Sequence, residues 1–104
     1  MDKVHILPTN KTPEVLLNPV GIIKIKGRAI DESRTGIPEQ VTNWIDSYLL
    51  NPAESTKVTI ALEFLNSFNT IVLTSILKKI SQLIQQRKKL HIQWYYEEDD
   101  VDIF

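Results

Sequence analysis

The chain has 104 residues, of which 42% are hydrophobic and 24% charged, and its formal net charge is −1. A chain of this length folds as one domain with its own hydrophobic core, so we expect a single domain over residues 1–104. The near-neutral charge argues against nucleic-acid binding, which requires a basic face. The absence of cysteine excludes disulfides, thiol nucleophiles and thiolate metal sites. No segment reaches membrane-spanning length and no signal-peptide core follows the start, which predicts a cytoplasmic protein.

The first part of the sequence predicts an arm and a hairpin. Residues 1–12 contain Pro8 and several polar side chains, and we expect them to form a loosely held arm. A short apolar run at residues 15–17 precedes Asn18 and Pro19, which favour a turn because proline keeps the residue before it out of the helical region. In residues 20–27, Ile23 and Ile25 alternate with lysines, as in a strand with one buried face. We expect these two strands to pair.

The middle of the sequence predicts a helix followed by an interior strand. Pro38 suits the first turn of a helix, because the N–H that proline lacks would be unpaired there. The predicted helix continues to Leu50, and its apolar positions recur at helical spacing at Val41, Trp44, Ile45, Tyr48 and Leu49. In residues 58–65 both alternating faces are at least partly apolar, which indicates a strand covered on both sides near the middle of the sheet.

The last part predicts a second helix and a final strand. The helix has one apolar stripe, formed by Leu73, Ile76, Leu77, Ile80, Leu83 and Ile84. Residues 90–94 alternate as a strand, and residues 97–104 form an acidic tail that we expect to fray. The predicted order is β-β-α-β-α-β with parallel pairing across the strand-helix-strand units. This order describes an α/β domain with a small mixed four-stranded sheet and two helices packed on it.

The sequence indicates no enzymatic site. His5 falls in the arm and His91 on the polar side of a strand, and no nucleophile accompanies either one. The acidic run at residues 97–100 lacks the glycine-punctuated spacing of a calcium loop, so a solvated tail is the favoured interpretation. None of the three glycines stands in a phosphate-binding run. We therefore expect no catalytic residue, no metal and no cofactor.

The junction at residues 66–69, between the third strand and the second helix, is the candidate regulatory site. Backbone N–H groups of a first helical turn form an anion site, so a phosphate on Ser67 would be stabilised there. The alternative interpretation of Ser67 is an ordinary helix N-cap. Phe68 and Ile71 fall on the side opposite the apolar stripe, where they would form an exposed docking spot. The sequence also allows Phe68 or Leu65 to fold back as a hydrophobic staple and the arm to cover Ile71.

Several short motifs follow one another in a specific order and spacing from Thr12 to the end of the chain. They are Thr12-Pro13-Glu14, Gly27-Arg28 with Glu32, Trp44 with Tyr48, Leu62-Glu63-Phe64-Leu65-Asn66-Ser67, and Trp94-Tyr95-Tyr96-Glu97-Glu98-Asp99-Asp100. Taken together, these motifs resemble the SiaC family of bacterial regulatory phosphoproteins.

This resemblance implies a fold similar to STAS domains, the fold of the anti-sigma factor antagonists. It also implies that the hydroxyl residue directly after the junction asparagine is phosphorylated by a dedicated kinase and dephosphorylated by a PP2C-like phosphatase. Here Ser67 follows Asn66 and is therefore the expected phospho-acceptor. The resemblance further implies that the unphosphorylated form binds and activates a diguanylate cyclase. Phe68 and Asn69 stand where the family usually has small hydroxyl residues, so we expect partner specificity to differ at this point.

We therefore expect a non-enzymatic regulatory phosphoprotein that works by partner switching. Its expected partner-binding surface comprises Arg28, Glu32, Asn66, Phe68, Asn69 and Ile71. A phosphate on Ser67 would add about −1.5 to −2 charges to this surface and displace the partner. The competing hypothesis is a STAS-like module that binds a small ligand, either a nucleotide or a lipid, beside the N-terminus of the second helix.

Overall fold

The computed structural model describes residues 1–28, 36–63 and 67–95, and of residues 67–69 it describes the backbone. Its strands are β1 (Val4–Ile6), β2 (Glu14–Asn18), β3 (Ile22–Arg28), β4 (Ser55–Glu63) and β5 (Lys89–Tyr95). Its helices are α1 (Ile37–Tyr48), α2 (Ser67–Ile80) and the short α3 (Gln82–Gln85). The predicted order from the hairpin to the last strand is confirmed, with α3 as an addition.

The described strands form one mixed sheet in the order β1-β2-β3-β4-β5. The first two pairings are antiparallel, and the pairings of β3 with β4 and of β4 with β5 are parallel. The predicted hairpin and the predicted parallel strand-helix-strand units are therefore both present. Glu97 to the end of the predicted acidic tail lies outside the described residues.

The sheet has five strands, so the predicted four-stranded sheet is wrong. The fifth strand comes from the predicted arm: residues 4–6 pair with β2, with Val4 opposite Leu17 and Ile6 opposite Val15. Val4 and Ile6 are half-buried against the core, and the burial of these apolar side chains favours pairing with β2. A segment of three residues is too short to show the apolar–polar alternation of a strand, and its neighbours are polar or proline-containing. This explains why the sequence did not reveal β1.

Both long helices pack on the same face of the sheet. Each parallel crossover moves one strand further in the same direction, and right-handed crossovers of that kind place their helices on one side. The core between the layers contains Val15, Leu17, Ile23, Ile25, Val41, Trp44, Ile45, Tyr48, Val58, Ile60, Leu62, Leu73, Ile76, Ile80 and Leu83. No described element covers the other face, so the prediction that β4 is covered on both sides is wrong. The side chains of Thr59, Ala61 and Glu63 are half-buried by their strand neighbours instead.

Two polar links hold α1 against the sheet and the N-terminal strand. The Tyr48 hydroxyl lies 2.7 Å from Thr56 Oγ1 in the buried core and accepts a hydrogen bond from the Ala53 N–H. Trp44 stacks on Tyr48 with ring centroids 5.0 Å apart, and its indole N–H donates to the Asp2 carbonyl oxygen at 3.0 Å. The start of the chain is therefore fastened to α1.

The second helix is shorter than its apolar stripe suggests. It ends at Ile80, and Ser81, whose hydroxyl donates to the Lys78 carbonyl oxygen at 2.6 Å, separates it from α3. Leu83 is buried but Ile84 is 65% exposed, so the predicted core position of Ile84 is wrong. A local hydrogen bond of this kind competes with helical bonding and is not visible in apolar spacing.

Candidate functional site

The carboxyl ends of the three parallel strands meet at one edge of the sheet, which we call the carboxyl edge. Arg28 ends β3, Glu63 ends β4 and Tyr95 ends β5. In strand-helix-strand units the helices run back against the strand direction, so α1 and α2 both begin at this edge. The two helices also contact each other. The carboxyl edge therefore collects two positive helix ends, which is where open α/β sheets commonly bind their ligands.

Ser67 is the first residue of α2 and so lies at the carboxyl edge. The first N–H groups of a helix have no acceptor inside it, and together with the helix dipole they favour an anion. The first turn of α2 contains no acidic residue, while its last turn contains Lys78 and Lys79. No carboxylate of that turn therefore competes for the positive end, and the helix keeps its full preference for an added negative charge.

Ile71 lies one turn into α2 and is 71% exposed. Residues 73 and 76 of the same helix point into the core, so the helical period turns Ile71 towards solvent, as predicted. Thr70, Thr74 and Ser75 are exposed near it, and the Thr74 hydroxyl donates to the Thr70 carbonyl oxygen at 2.9 Å. Among the side chains that the structure describes on this face of α2, Ile71 is therefore an exposed apolar group beside three hydroxyl residues.

The N-terminal residues do not cover Ile71, because they occupy another part of the molecule. Residues 4–6 extend the sheet beyond β2, at the sheet edge opposite β5. The Asp2 carbonyl oxygen is bound to the indole of Trp44 on α1. Of the two interpretations that the sequence allowed for Ile71, the structure has the exposed one.

Arg28 is exposed at the end of β3, and its register partner in β4 is Glu63. The two residues thus share the uncovered face of the sheet at the carboxyl edge. Glu32 and Asn66, two further residues of the expected partner-binding surface, lie outside the described residues. The side chains of Phe68 and Asn69 also lie outside them. The sequence alone does not indicate that Glu63 lies opposite Arg28, since only the strand register brings the two residues together.

The histidines occupy the uncovered face of the sheet. His5 Nε2 lies 2.8 Å from Glu14 Oε2, across the pairing of β1 and β2. This hydrogen bond, together with the positive charges of Lys24 and Lys26, lowers the pKa of the Glu14 carboxyl. His91 is exposed on β5. Within residues 1–28, 36–63 and 67–95, no group of three or more histidine and acidic side chains is placed to hold a metal ion.

Chemically, the carboxyl edge is suited to binding. Backbone N–H groups at the start of α2 can hold an anion, and Ile71 offers apolar area beside them. The first turn of α1 suits an anion less, because Pro38 has no N–H and Glu39 is acidic. No helix in the part of the chain that the structure describes is long and apolar enough to cross a membrane.

Comparisons with known proteins agree with this architecture. A family model described as SiaC family regulatory phosphoprotein matches residues 6–104. Among solved structures, SiaC of Pseudomonas aeruginosa superposes with a TM-score of 0.87 and 20% identity, over 99% of this chain and 86% of that chain. Apo-SiaC from Pseudomonas aeruginosa gives a TM-score of 0.86 and 22% identity, over 97% of this chain and 84% of that chain.

A third similar structure contains diguanylate cyclase SiaD in complex with its activator SiaC from Pseudomonas aeruginosa. The TM-score is 0.84 and the identity 20%, over 96% of this chain and 83% of that chain. At these identities the likeness shows a shared fold. No curated protein sequence matches the chain.

Proposed function

Because the chain belongs to the SiaC family of regulatory phosphoproteins, we propose that it is a non-enzymatic switch controlled by phosphorylation of Ser67. In this proposal a kinase phosphorylates Ser67 and a PP2C-like phosphatase removes the phosphate. The unphosphorylated form binds and activates a diguanylate cyclase, as SiaC of Pseudomonas aeruginosa does as the activator in its complex with SiaD. The observation that carries the proposal is the position of Ser67 as the first residue of α2, one turn before the exposed Ile71.

The helix end explains how the domain tolerates a phosphate. A phosphoserine carries about −1.5 to −2 charges at neutral pH, and a helix N-terminus stabilises such a charge. The first turn of α2 contributes no acidic side chain that would repel it. Phosphorylation is therefore compatible with an intact fold, and the effect of the phosphate falls on the partner.

The exposed apolar side chain explains why the partner leaves. Docking over Ile71 would remove its apolar surface from water, which is favourable in the unphosphorylated protein. A phosphate one turn away would have to lose its hydration in the same interface, and that loss opposes docking. One covalent change thus separates the bound and free states without a rearrangement of the domain.

The proposed docking surface extends from α2 along the carboxyl edge. Arg28 lies at this edge, on the strand next to the one that leads into α2. With Glu32, Asn66, Phe68, Asn69 and Ile71 it forms the surface that we propose to contact the partner. We propose that Phe68 and Asn69, which depart from the usual family residues, set partner specificity.

The test compares two aspartates at different distances from Ile71. Ser67→Asp places a negative charge in the first turn of α2, and Gln85→Asp places the same charge on an exposed position of α3. We expect Ser67→Asp to weaken binding to the cognate cyclase by at least about tenfold, whereas Ser67→Ala and Gln85→Asp bind like the unmodified protein. Binding of Ser67→Asp at wild-type affinity would contradict the switch.

The modification itself needs a separate measurement. After incubation with the cognate kinase, mass spectrometry should locate phosphate on Ser67, and the Ser67→Ala variant should remain unmodified. Phosphate on Thr70 or Thr74 alone would contradict the assignment of the acceptor, since both hydroxyl residues are exposed on the same helix.

A second candidate function follows from the helix end at the start of α2. This N-terminus could hold the phosphate group of a nucleotide or a lipid, as in a STAS-like ligand-binding module. The element order from β2 to β5 supports a relationship to STAS domains, and we propose this relationship together with the ligand-binding function. A thermal-shift screen with nucleotides and lipid headgroups separates the two functions, because a ligand of the native state raises the melting temperature.

A further inference from the structure

The two outer strands of the described sheet differ in how far they are protected against pairing. At one edge, β1 has three residues and is followed closely by Pro8, and both features discourage a further strand. At the other edge, β5 has seven residues and pairs with β4 alone among the described strands. Apart from Lys89 at its start, β5 contains neither a lysine nor a proline. Within the part of the chain that the structure describes, the outer row of N–H and C=O groups of β5 therefore has no partner strand.

The side chains of β5 show the same lack of cover. Ile92 and Trp94 point to the face that carries the helices, yet each is 43% exposed. Lys89, His91 and Tyr95 point to the uncovered face and are exposed as well. A strand with exposed apolar side chains beside an unpaired backbone row is the arrangement that soluble proteins usually avoid.

We propose that β5 pairs antiparallel with β5 of a second copy of this chain, about a two-fold axis at Ile92. Ile92 is the middle residue of the seven, so this register pairs the whole strand with itself. It places Ile92 opposite Ile92 of the second copy and Leu90 opposite Trp94, all on the helix face. It also places Lys89 opposite Tyr95 on the uncovered face, where an ammonium group can lie over an aromatic ring.

The charges around β5 favour an antiparallel arrangement of the two strands. Arg87, Lys88 and Lys89 stand at its start, and the acidic run of residues 97–100 follows its end in the sequence. Antiparallel pairing brings the basic start of one strand to the acidic end of the other, whereas parallel pairing would bring like charges together. A slip by one residue would place apolar side chains opposite polar ones on both faces.

The first experiment measures the oligomeric state of the whole chain. Sedimentation equilibrium from micromolar to millimolar concentration should show a reversible monomer–dimer equilibrium that weakens as salt is added. Ile92→Lys places two like charges at the two-fold axis, and Tyr95→Lys places a lysine opposite Lys89 of the second copy. We expect each variant to weaken dimerisation by at least about tenfold, with Ser75→Lys on α2 as the matched control.

Tyr95→Lys also serves as the second variant if Ile92→Lys fails to fold, since Tyr95 is 54% exposed and makes little core contact. A chain that stays monomeric at millimolar concentration would overturn the proposal. So would a dimer whose affinity Tyr95→Lys leaves unchanged, because that dimer would use another surface.

The second experiment tests the register by disulfide cross-linking. The chain contains no cysteine, so an introduced cysteine is the only thiol that can react. In the proposed dimer, the Ile92→Cys variant has its two thiols directly opposite each other, within the Cα separation of about 4.4–6.8 Å that a disulfide allows. Mild oxidation should therefore link Ile92→Cys into a covalent dimer much faster than His91→Cys or Ser75→Cys. Equal rates for Ile92→Cys and Ser75→Cys would overturn the pairing, and faster linkage of His91→Cys would overturn the register.

Discussion

The Tyr48 hydroxyl and Thr56 Oγ1 lie 2.7 Å apart in the core, where they join the last residue of α1 to the start of β4. Both residues are buried, and the Ala53 N–H completes the group by donating to the same tyrosine oxygen. A buried polar group is stable only while its partners are present, since an unpaired donor or acceptor keeps the cost of leaving water. This cluster therefore fixes where the loop between α1 and β4 returns to the sheet.

Removing the tyrosine oxygen should cost more than removing the threonine oxygen. Tyr48→Phe leaves the Thr56 hydroxyl and the Ala53 N–H unpaired, so we expect the free energy of unfolding to fall by about 2–3 kcal/mol. Thr56→Val keeps its side-chain shape and leaves the Ala53 bond in place, so the expected loss is about 1 kcal/mol. Urea unfolding of both single variants and the double variant measures the coupling, and additive losses would contradict a shared hydrogen bond.

Gly21 and Gly36 both have positive φ, but only Gly21 is closely approached by other backbone. A Cβ on Gly21 would overlap the carbonyl oxygen of Ser55, whereas a Cβ on Gly36 would meet no atom of the described residues within 4 Å. We expect Gly21→Ala to destabilise the protein by more than about 2 kcal/mol, and Gly36→Ala by about 1 kcal/mol from backbone strain alone. Thermal unfolding compares the two, and equal melting temperatures would show that the overlap is relieved.

Ile71 should affect partner binding and not stability. Because it is 71% exposed, Ile71→Lys should change the free energy of unfolding by no more than about 0.5 kcal/mol. On the proposed docking surface the same change should weaken binding to the cyclase by at least about tenfold. Ile84→Lys is the matched control. Ile84 is 65% exposed, and it lies on α3, far along the sequence from Ser67 at the start of α2. Similar losses in both variants would indicate a nonspecific effect of charge.

The hydrogen bond between His5 and Glu14 is one link between pH and the stability of the fold, because it lowers the pKa of the Glu14 carboxyl. That bond is the main cause of the lowered pKa of Glu14, with smaller effects from Lys24 and Lys26. A carboxyl whose pKa is lower in the folded state stabilises the fold above its unfolded-state pKa. This stabilisation is lost as the pH falls through the folded-state pKa.

We expect His5→Val to move the pKa of Glu14 upwards, towards its ordinary value, because valine has no donor to replace the hydrogen bond that causes most of the lowering. Lys26→Gln should move it in the same direction by a smaller amount. An NMR titration of the Glu14 side chain measures both shifts. A larger shift in Lys26→Gln than in His5→Val would contradict the hydrogen-bond explanation.

The parts of this fold that follow from side-chain periodicity could be predicted from the sequence. Val41, Trp44, Ile45 and Tyr48 repeat at the helical spacing and all face the core. The same reasoning placed Ile71 opposite the stripe that contains Leu73 and Ile76, although it left open whether the arm would cover Ile71. Long segments with one apolar stripe therefore identify both their structure and their outward face.

The parts that depend on tertiary pairing could not be predicted. Val4 and Ile6 show no period of their own and form a strand only because β2 offers an edge. Arg28 and Glu63 are far apart in sequence, and only the parallel register brings them opposite each other. The candidate site combines both cases: the start of α2 is a sequence feature, while the meeting of two helix ends at the carboxyl edge is a consequence of the topology.

The order of the strands in the sheet is also their order along the chain. Each strand therefore finds its partner in the segment synthesised just before it, and none must wait for a strand that emerges later. A sheet of this kind can assemble progressively during translation, with short loop closures at each step. Synthesis itself then guides folding, and β5 is the described strand that completes the sheet.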